Sequence, residues 1–325
     1  MRALCGRPGG GVEGSAIQEI PTPEPGAGEV RVRVEAAAVN PADLKVLAWK
    51  DGGAFLHSKH TPLVVGYDFS GSVDAVGAGV TDRRVGDAVL GFVPYARSTV
   101  WGSFAEFVTV RSDTVALRPA GLSAARAAAL ATGGSTALQA LRDKGRLTLG
   151  GSGGRVLVNG ASGGVGLIAV QIAKAMGAEV WGTSSAAKMD AVRAAGADHA
   201  VDYRVTALSS IREGFDVVLD AASTSSYGEC SGILGPKGAY VTLLPSGSLV
   251  TGKLAALFSS RRCEFVTVKP LAADLAWLAG QAAAGALDVR IEASYPFDQI
   301  KEALTRFQTG AGAGKVVVEW APRSG

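Results

Sequence analysis

The stretch from Arg155 to Gly177, RVLVNGASGGVGLIAVQIAKAMG, constrains the fold of this chain more than any other. Val156, Leu157 and Val158 are a short aliphatic run of the kind that forms a buried parallel strand. Gly160, Gly163 and Gly166 follow at intervals of three residues. Then Val165, Ile168, Ala169, Ile172 and Met176 recur at helical spacing, and Gly177 supplies a helix-ending residue. Strand, glycine turn and helix are the first half of a βαβ unit, and a second strand over 179–183 arrives where such a unit requires it. Glycine is needed in this turn when a pyrophosphate must approach the backbone and rest on the N–H groups and positive dipole of the helix start. The alternative is a tight turn with no ligand, and the spacing departs from the strict G-x-G-x-x-G. The flanking strands and helix favour a dinucleotide site built from Gly160, Ser162, Gly163, Gly164, Val165 and Gly166.

The end of the second strand selects the cofactor. A site for NAD places Asp or Glu there to bond the ribose 2′-hydroxyl. Here the chain reads Thr183-Ser184-Ser185-Ala186-Ala187-Lys188, with no carboxylate. Hydroxyls and a lysine suit a 2′-phosphate, so NADPH is the expected cofactor. Ser184 and Ser185 also suit a helix cap, and the two readings are compatible.

A chain of 325 residues is long enough for two domains. With 47% hydrophobic and 19% charged residues it is globular. The net charge of +3 comes without a basic cluster, so no nucleic-acid partner is expected. No run of about 18 uncharged apolar residues appears, so no membrane span is expected, and MRALCGRPGGG lacks the apolar core of a secretory signal. Cys5, Cys230 and Cys263 are isolated, forming neither a disulfide framework nor a metal pair, which fits a reducing cytoplasm. His57 and His60 lie in an irregular stretch with only Asp68 as a further ligand candidate. Both read as surface loop histidines, and no metal site is expected.

Residues 1–121 read as many short strands bent at glycines, such as Val30, Val32 and Val34 alternating with Arg31, Arg33 and Glu35, which suggests a small barrel. From Ser123, a plausible N-cap, an alanine-rich helix is expected over 124–131, interrupted at 132–135 and resumed over 136–142. The glycines of 150–154 read as a structural turn. Strands and helices then alternate, with strands expected at 215–219, 239–244 and 265–268, which implies a doubly wound parallel sheet. Helices are expected at 272–284 and 299–307, and a final strand at 315–320 that returns to the first domain. The expected division is 1–121, 122–268 and a returning segment 269–325.

Several stretches then come in a telling order: Val39-Asn40-Pro41-Ala42-Asp43, Gly66-Tyr67-Asp68-Phe69-Ser70-Gly71, Val85-Gly86-Asp87-Ala88-Val89, Gly102-Ser103-Phe104-Ala105-Glu106-Phe107, Thr136-Ala137, the 160–166 turn, Gly196-Ala197-Asp198 with Asp202-Tyr203, and Gly314-Lys315-Val316. Over nearly its full length the chain resembles the zinc-independent, ζ-crystallin-like quinone oxidoreductases of the medium-chain dehydrogenase/reductase superfamily. The resemblance implies an α/β fold: a GroES-like β-barrel catalytic domain and a Rossmann doubly wound parallel sheet. It implies NADPH as cofactor and a quinone or an α,β-unsaturated carbonyl as substrate. Asn40 and Gly66-Tyr67-Asp68 stand where the zinc branch carries a catalytic Cys and a Gly-His-Glu.

By position, the resemblance puts Gly163, Val165 and Gly166 on the pyrophosphate and Ser184, Lys188 and Tyr203 on the 2′-phosphate. Thr136 would sit beside the nicotinamide, Lys315 near the cofactor cleft, and Asn40 would orient ribose or substrate and offer its amide to a developing enolate. Each has an ordinary alternative: Tyr203 as a half-buried ring, Thr136 as a helix residue, Lys315 as a solvated charge. Many members carry a tyrosine after the Asn-Pro-x-Asp stretch, whereas Leu47-Ala48-Trp49-Lys50 has none. The proton donor is therefore open among Asp43, Lys45, Tyr67, Tyr95 and water. A homodimer through the Rossmann sheet edge is common in the family. Two other functions stay open. One is an enoyl-thioester reductase of lipid or polyketide metabolism, with Arg261 and Arg262 as candidate carrier-binding charges. The other is an NADPH-binding structural or sensing protein without turnover.

Overall fold

The computed structural model describes residues 1–151, 154–244, 246–310 and 312–321. Of the turn expected at 150–154, Ser152 and Gly153 lie outside the described residues. The chain divides into two compact units, Met1–Thr132 with Lys269–Gly325, and Gly133–Val268.

The first unit is mainly β-structure. Its strands are β1 (Arg2–Gly6), β2 (Ala16–Glu19), β3 (Glu29–Ala38), β4 (Leu63–Val64), β5 (Asp68–Val76), β6 (Ala88–Phe92), β7 (Phe107–Arg111) and β8 (Val115–Leu117), with helices α1 (Pro41–Ala48) and α2 (Gly53–Leu56) between β3 and β4. On β3 the alternation is literal: Val30, Val32 and Val34 are buried, while Arg31 and Arg33 both reach Asp74 on β5. Helix α3 (Ala124–Gln139) leads out of this unit.

The second unit contains β9 (Gly154–Asn159), α4 (Gly164–Ala175), β10 (Ala178–Ser184), α5 (Met189–Ala194), β11 (His199–Asp202), β12 (Phe215–Asp220), α6 (Tyr227–Cys230), β13 (Leu234–Thr242), α7 (Gly247–Ala256) and β14 (Arg262–Phe265). Its sheet runs β11-β10-β9-β12-β13-β14, with every pairing parallel. The chain then forms α8 (Ala272–Ala283), β15 (Ile291–Pro296), α9 (Ile300–Thr309) and β16 (Lys315–Glu319). β16 pairs antiparallel with β3, Val317 opposite Ala38, and completes the seven-stranded sheet ordered β15-β16-β3-β5-β6-β8, with β7 also on β3. Val316, Val317 and Val318 are buried there.

Three expectations need correction. Helix α3 runs unbroken through Thr132-Gly133-Gly134-Ser135, opened by the Ser123 hydroxyl, which accepts the Arg126 N–H, and followed by a π-helical turn over Ala140–Lys144. Each glycine costs a helix about 1 kcal/mol, and the burial of residues 127–141 outweighs that cost. The last strand of the parallel sheet starts three residues earlier than expected, because Arg262 to Phe265 pair in register with Ala239 to Thr242 and Cys263 packs inward. His57 is buried, not a surface residue: its Nε2 contacts the Val100 carbonyl at 3.2 Å.

Candidate active site

The glycine turn of the second unit is built by close approach. Gly160 has φ of 80°, a conformation that favours glycine. A Cβ on Gly166 would lie 2.2 Å from the Gly160 carbonyl oxygen, so α4 can leave the strand this tightly only without a side chain there. Gly163 is the N-cap of α4, exposed and in extended conformation, and no side chain caps the helix. Gly164 and Val165 are half-buried behind it, with Ser162 half-buried before it. The first N–H groups of α4 therefore have no side-chain partner, and they carry the positive end of the helix dipole. This cradle fits a dinucleotide pyrophosphate.

Thr183 lies directly behind Gly160 of the turn. It is fully buried, its hydroxyl donates to Asn159 Oδ1 at 2.7 Å and accepts the Gly160 N–H at 3.1 Å. It braces the turn through these two bonds. Asp220, at the end of β12, holds Asn159 from the other side: it accepts Asn159 Nδ2 at 2.8 Å, the Tyr240 hydroxyl at 2.9 Å and the Ser225 N–H at 2.9 Å. A cavity of about 490 Å³ adjoins the turn, lined among others by Asn159, Gly160, Tyr203, Ala222, Thr224 and Glu229.

At the end of β10, Ser184 is buried and its hydroxyl donates to the Ser185 carbonyl at 3.1 Å. Ser185 is the N-cap of the short turn Ala186–Lys188, yet its hydroxyl makes no capping bond. Lys188 is half-buried. Tyr203 is 53% exposed and its N–H donates to the Ser184 carbonyl at 3.2 Å, so its backbone runs beside the serines. Asp202 accepts the Ala186 N–H at 3.2 Å and the Arg204 N–H at 2.9 Å, which ties the two segments together.

The first unit holds a second cluster, centred on Asp68. This carboxylate is fully buried at the start of β5. Its Oδ2 accepts from Asn40 Nδ2 at 2.9 Å and from Lys315 Nζ at 3.2 Å, and its Oδ1 accepts the Thr132 N–H at 2.8 Å. Asn40 Nδ2 also donates to the Ala38 carbonyl at 3.2 Å. Lys315 Nζ further donates to Asn40 Oδ1 at 2.6 Å and to the Val39 carbonyl at 3.2 Å. An amide has two N–H groups and an ammonium three, so Asn40 and Lys315 have spent them all inside this network. Neither has an N–H group left for a ligand, and Lys315 is a buried charge, not a solvated one.

Tyr67 is likewise committed, while Asp43 is bonded through Oδ2 and its buried Oδ1 has no hydrogen-bond partner. Asp43 is fully buried in the first turn of α1, accepting the Asn40 N–H on Oδ2 at 2.7 Å. Burial pushes its carboxyl up to about 8; the Asn40 N–H opposes this and the Asp68 charge adds to it. With Asp43 protonated, the Lys315–Asp68 ion pair leaves the cluster neutral. Tyr67 is fully buried and donates to the Leu56 carbonyl at 3.0 Å. Burial, with the Asp43 charge, holds its phenol far above the ordinary value. Thr136 is buried on α3, one turn beyond Thr132. Of the two groups that matter most in the cluster, sequence reasoning had weighed Asp68 only as a metal ligand and had overlooked Thr132. An acid set among Val64, Val65 and Phe69 was the available signal, because a carboxylate in a buried run needs partners.

Comparison with known proteins gives these clusters a context. Residues 26–120 match the family model of the alcohol dehydrogenase GroES-like domain, and residues 195–318 match that of zinc-binding dehydrogenases. The chloroplast envelope quinone oxidoreductase homolog of Arabidopsis thaliana is 30% identical over 96% of this chain and 95% of its own length. The chain belongs to the zinc-independent, quinone-oxidoreductase-like family of medium-chain dehydrogenases/reductases. The solved structure of the quinone oxidoreductase from Coxiella burnetii matches this family member at a TM-score of 0.87 and 27% identity, over 98% of this chain and 99% of that one. A mycocerosic acid synthase-like polyketide synthase of Mycobacterium tuberculosis is 36% identical over 65% of this chain and 10% of its own length.

This medium-chain oxidoreductase joins a GroES-like unit to a Rossmann-like parallel sheet, and its family uses a nicotinamide cofactor. Zinc does not fit the positions where the zinc branch binds it. Asn40, Tyr67 and Asp68 are already bonded to backbone or to the Lys315 ammonium, and among the described residues no three His, Cys, Asp or Glu side chains come together to hold a metal. Among them, too, no helix is long and apolar enough to cross a membrane.

Proposed function

We propose that this oxidoreductase uses NADPH to reduce a quinone or an α,β-unsaturated carbonyl. The observation that carries the cofactor reading is the end of β10. Ser184, Ser185, Lys188 and Tyr203 gather there, no carboxylate stands on that strand end, and the Ser185 hydroxyl is not spent on a cap. Those groups would hold the 2′-phosphate. The N–H groups of Gly164, Val165 and Gly166 would hold the pyrophosphate, and Thr136 would lie against the nicotinamide. When bound, the cofactor supplies a hydride for an electron-poor carbon. The Asp68–Asn40–Lys315 network holds the start of α1 and the start of β5 in fixed relation. Its part is to keep that wall rigid and electrically neutral.

Relatives named quinone oxidoreductases support the acceptor class. A quinone asks little more of the protein, because solvent protonates the reduced anion. Oxidation of NADPH and of NADH with a panel of quinones and 2-enals tests the reading. Turnover with kcat/KM for NADPH at least about ten times that for NADH is expected. Equal rates with the two cofactors would remove the 2′-phosphate assignment.

The match to a polyketide synthase favours one second reading, reduction of an enoyl thioester. Of the two arginines that would serve it, Arg262 is bonded through both terminal nitrogens and Arg261 through Nε alone. Arg261 Nε donates to the Leu234 carbonyl at 3.1 Å, and Arg262 donates to the carbonyls of Lys144 and Gly145. Including crotonyl-CoA in the panel separates the readings.

The proposed setting is a reducing cytoplasm, in keeping with Cys5, Cys230 and Cys263, all buried and free. For the homodimer, the proposed contact is the free edge of β14. Beside it α7 and its following turn present Leu254, Leu257 and Phe258, the last 91% exposed.

A further inference from the structure

We infer that the free edge of β2 is a docking site for an extended, basic peptide segment of another protein, which joins the first unit as a further strand. β2 is the outer strand of a three-stranded sheet ordered β2-β1-β4. Its pairing with β1 is antiparallel, and just beyond its end Met1 and Ile20 exchange both main-chain bonds. The Met1 amino group donates to the Ile20 carbonyl at 2.7 Å, and the Ile20 N–H donates to the Met1 carbonyl at 2.9 Å. Along an antiparallel pair such residues alternate with ones whose main-chain groups point away. Gln18 and Ala16 therefore bond Ala3 and Cys5, while Glu19 and Ile17 turn their N–H and C=O groups outward. β1 shows the same alternation: the Arg2 N–H goes to the Glu106 carboxylate at 2.9 Å and the Leu4 N–H to the Phe104 carbonyl at 2.8 Å, both away from β2. Among the described residues, no group meets the outward N–H and C=O of Ile17 or Glu19. An edge of this kind is a template for one more strand.

A cavity of about 630 Å³ adjoins this strand. Ala16 and Ile17 both line it. Neighbouring residues of a strand point to opposite faces, so the cavity runs along the edge and not over one face. Its far wall is the start of α9. Ile17 and Glu19 sit opposite Leu4 and Arg2, and Arg2 pairs with Asp298, so theirs is the face turned towards α9. The charged groups lining the cavity are Glu13, Asp298 and Glu302, against Lys301 alone. Lys301 stands 3.7 Å from Glu13. Glu302 and Glu19 are exposed and have no ionic partner among the described residues.

These charges decide the occupant. A second copy of β2 would bring carboxylates against carboxylates, and like charges facing across strands repel. A segment with lysine or arginine at alternate positions places its charges on one face. Turned towards α9, that face meets Asp298 and Glu302, four residues apart in the sequence, and lays its alkyl stems over Ile17, which packs against the core of the unit. Main-chain bonds to Ile17 and Glu19 supply affinity and register, and the carboxylates supply the choice of sequence.

The experiment follows the fluorescence anisotropy of a labelled, acetylated peptide of alternating lysine and valine on titration with the full chain. The controls are the glutamate–valine peptide and the lysine–valine peptide methylated at every backbone nitrogen. The lysine–valine peptide should bind at least about tenfold more tightly than either control. Glu13→Lys combined with Glu302→Lys, both at exposed positions, should weaken it about fivefold. Amide hydrogen exchange then places the peptide. With peptide bound, the Ile17 and Glu19 amides should exchange at least about fivefold more slowly, while Gln18, already bonded to Ala3, stays unchanged. Absence of binding at about 1 mM peptide, equal binding of either control, or protection gained elsewhere than at Ile17 and Glu19 would overturn the assignment. Protection of these two amides without peptide, rising with protein concentration, would put a second copy on the edge and overturn it too.

Discussion

Buried titratable side chains in the first unit pull stability in opposite directions with pH. Burial lowers His57 to about 4 from 6.5, so the unfolded chain takes a proton there that the folded chain refuses. Its contribution is whole above 6.5 and is lost as pH falls towards 4, by roughly 3 kcal/mol at most. Asp43 works the other way. With its carboxyl raised to about 8 from 3.8, the folded chain keeps a proton that the unfolded chain has released. That contribution is whole below 3.8 and is lost as pH rises through 8. Between pH 4 and 6.5 the two slopes oppose each other. His57→Gln should remove the acid-side loss, leaving stability that only declines as pH rises through this window, as measured by urea unfolding at a series of pH values. Curves for variant and parent that run parallel from pH 4.5 to 6.5 would contradict the burial of an uncharged imidazole.

At the level of elements, the glycine turn separates two uses of the same residue. Gly166 permits the close passage of α4 over the Gly160 carbonyl, whereas a Cβ on Gly163 would meet that oxygen at an ordinary 3.4 Å. Gly166→Ala should therefore lower the melting temperature by several degrees and abolish cofactor binding. Gly163→Ala should fold like the parent and weaken NADPH binding alone, as read by cofactor fluorescence. The turn was legible in the sequence because its signal is local: a β-branched run, three glycines and a helical stripe within two dozen residues. The Asp68 cluster was not, because its members lie at 40, 68, 132 and 315 and nothing in a sequence window joins them. The buried state of His57 was hidden for a related reason, since irregular segments have no period from which to read an inward face. The continuity of α3 was misjudged because two adjacent glycines argue for a break unless the surrounding burial is known.

Over the whole molecule, the first unit is discontinuous in the chain. Lys315 supplies the positive charge opposite Asp68, and β16 covers β3, so residues 1–132 lack both a counter-charge and a sheet edge without the last segment. A fragment of residues 1–268 should show amide protection confined to 133–268 in hydrogen exchange while still binding 2′,5′-ADP. Protection across 1–132 in that fragment would show that the returning strand is dispensable. The same discontinuity sets an order for biosynthesis. The start of β16 leaves the ribosome about 180 residues after Thr132, roughly 10–40 s later at ordinary elongation rates. The Rossmann-like unit has all its strands in hand during that interval and the first unit does not. The nascent protein should therefore be able to bind its cofactor before its other unit has closed.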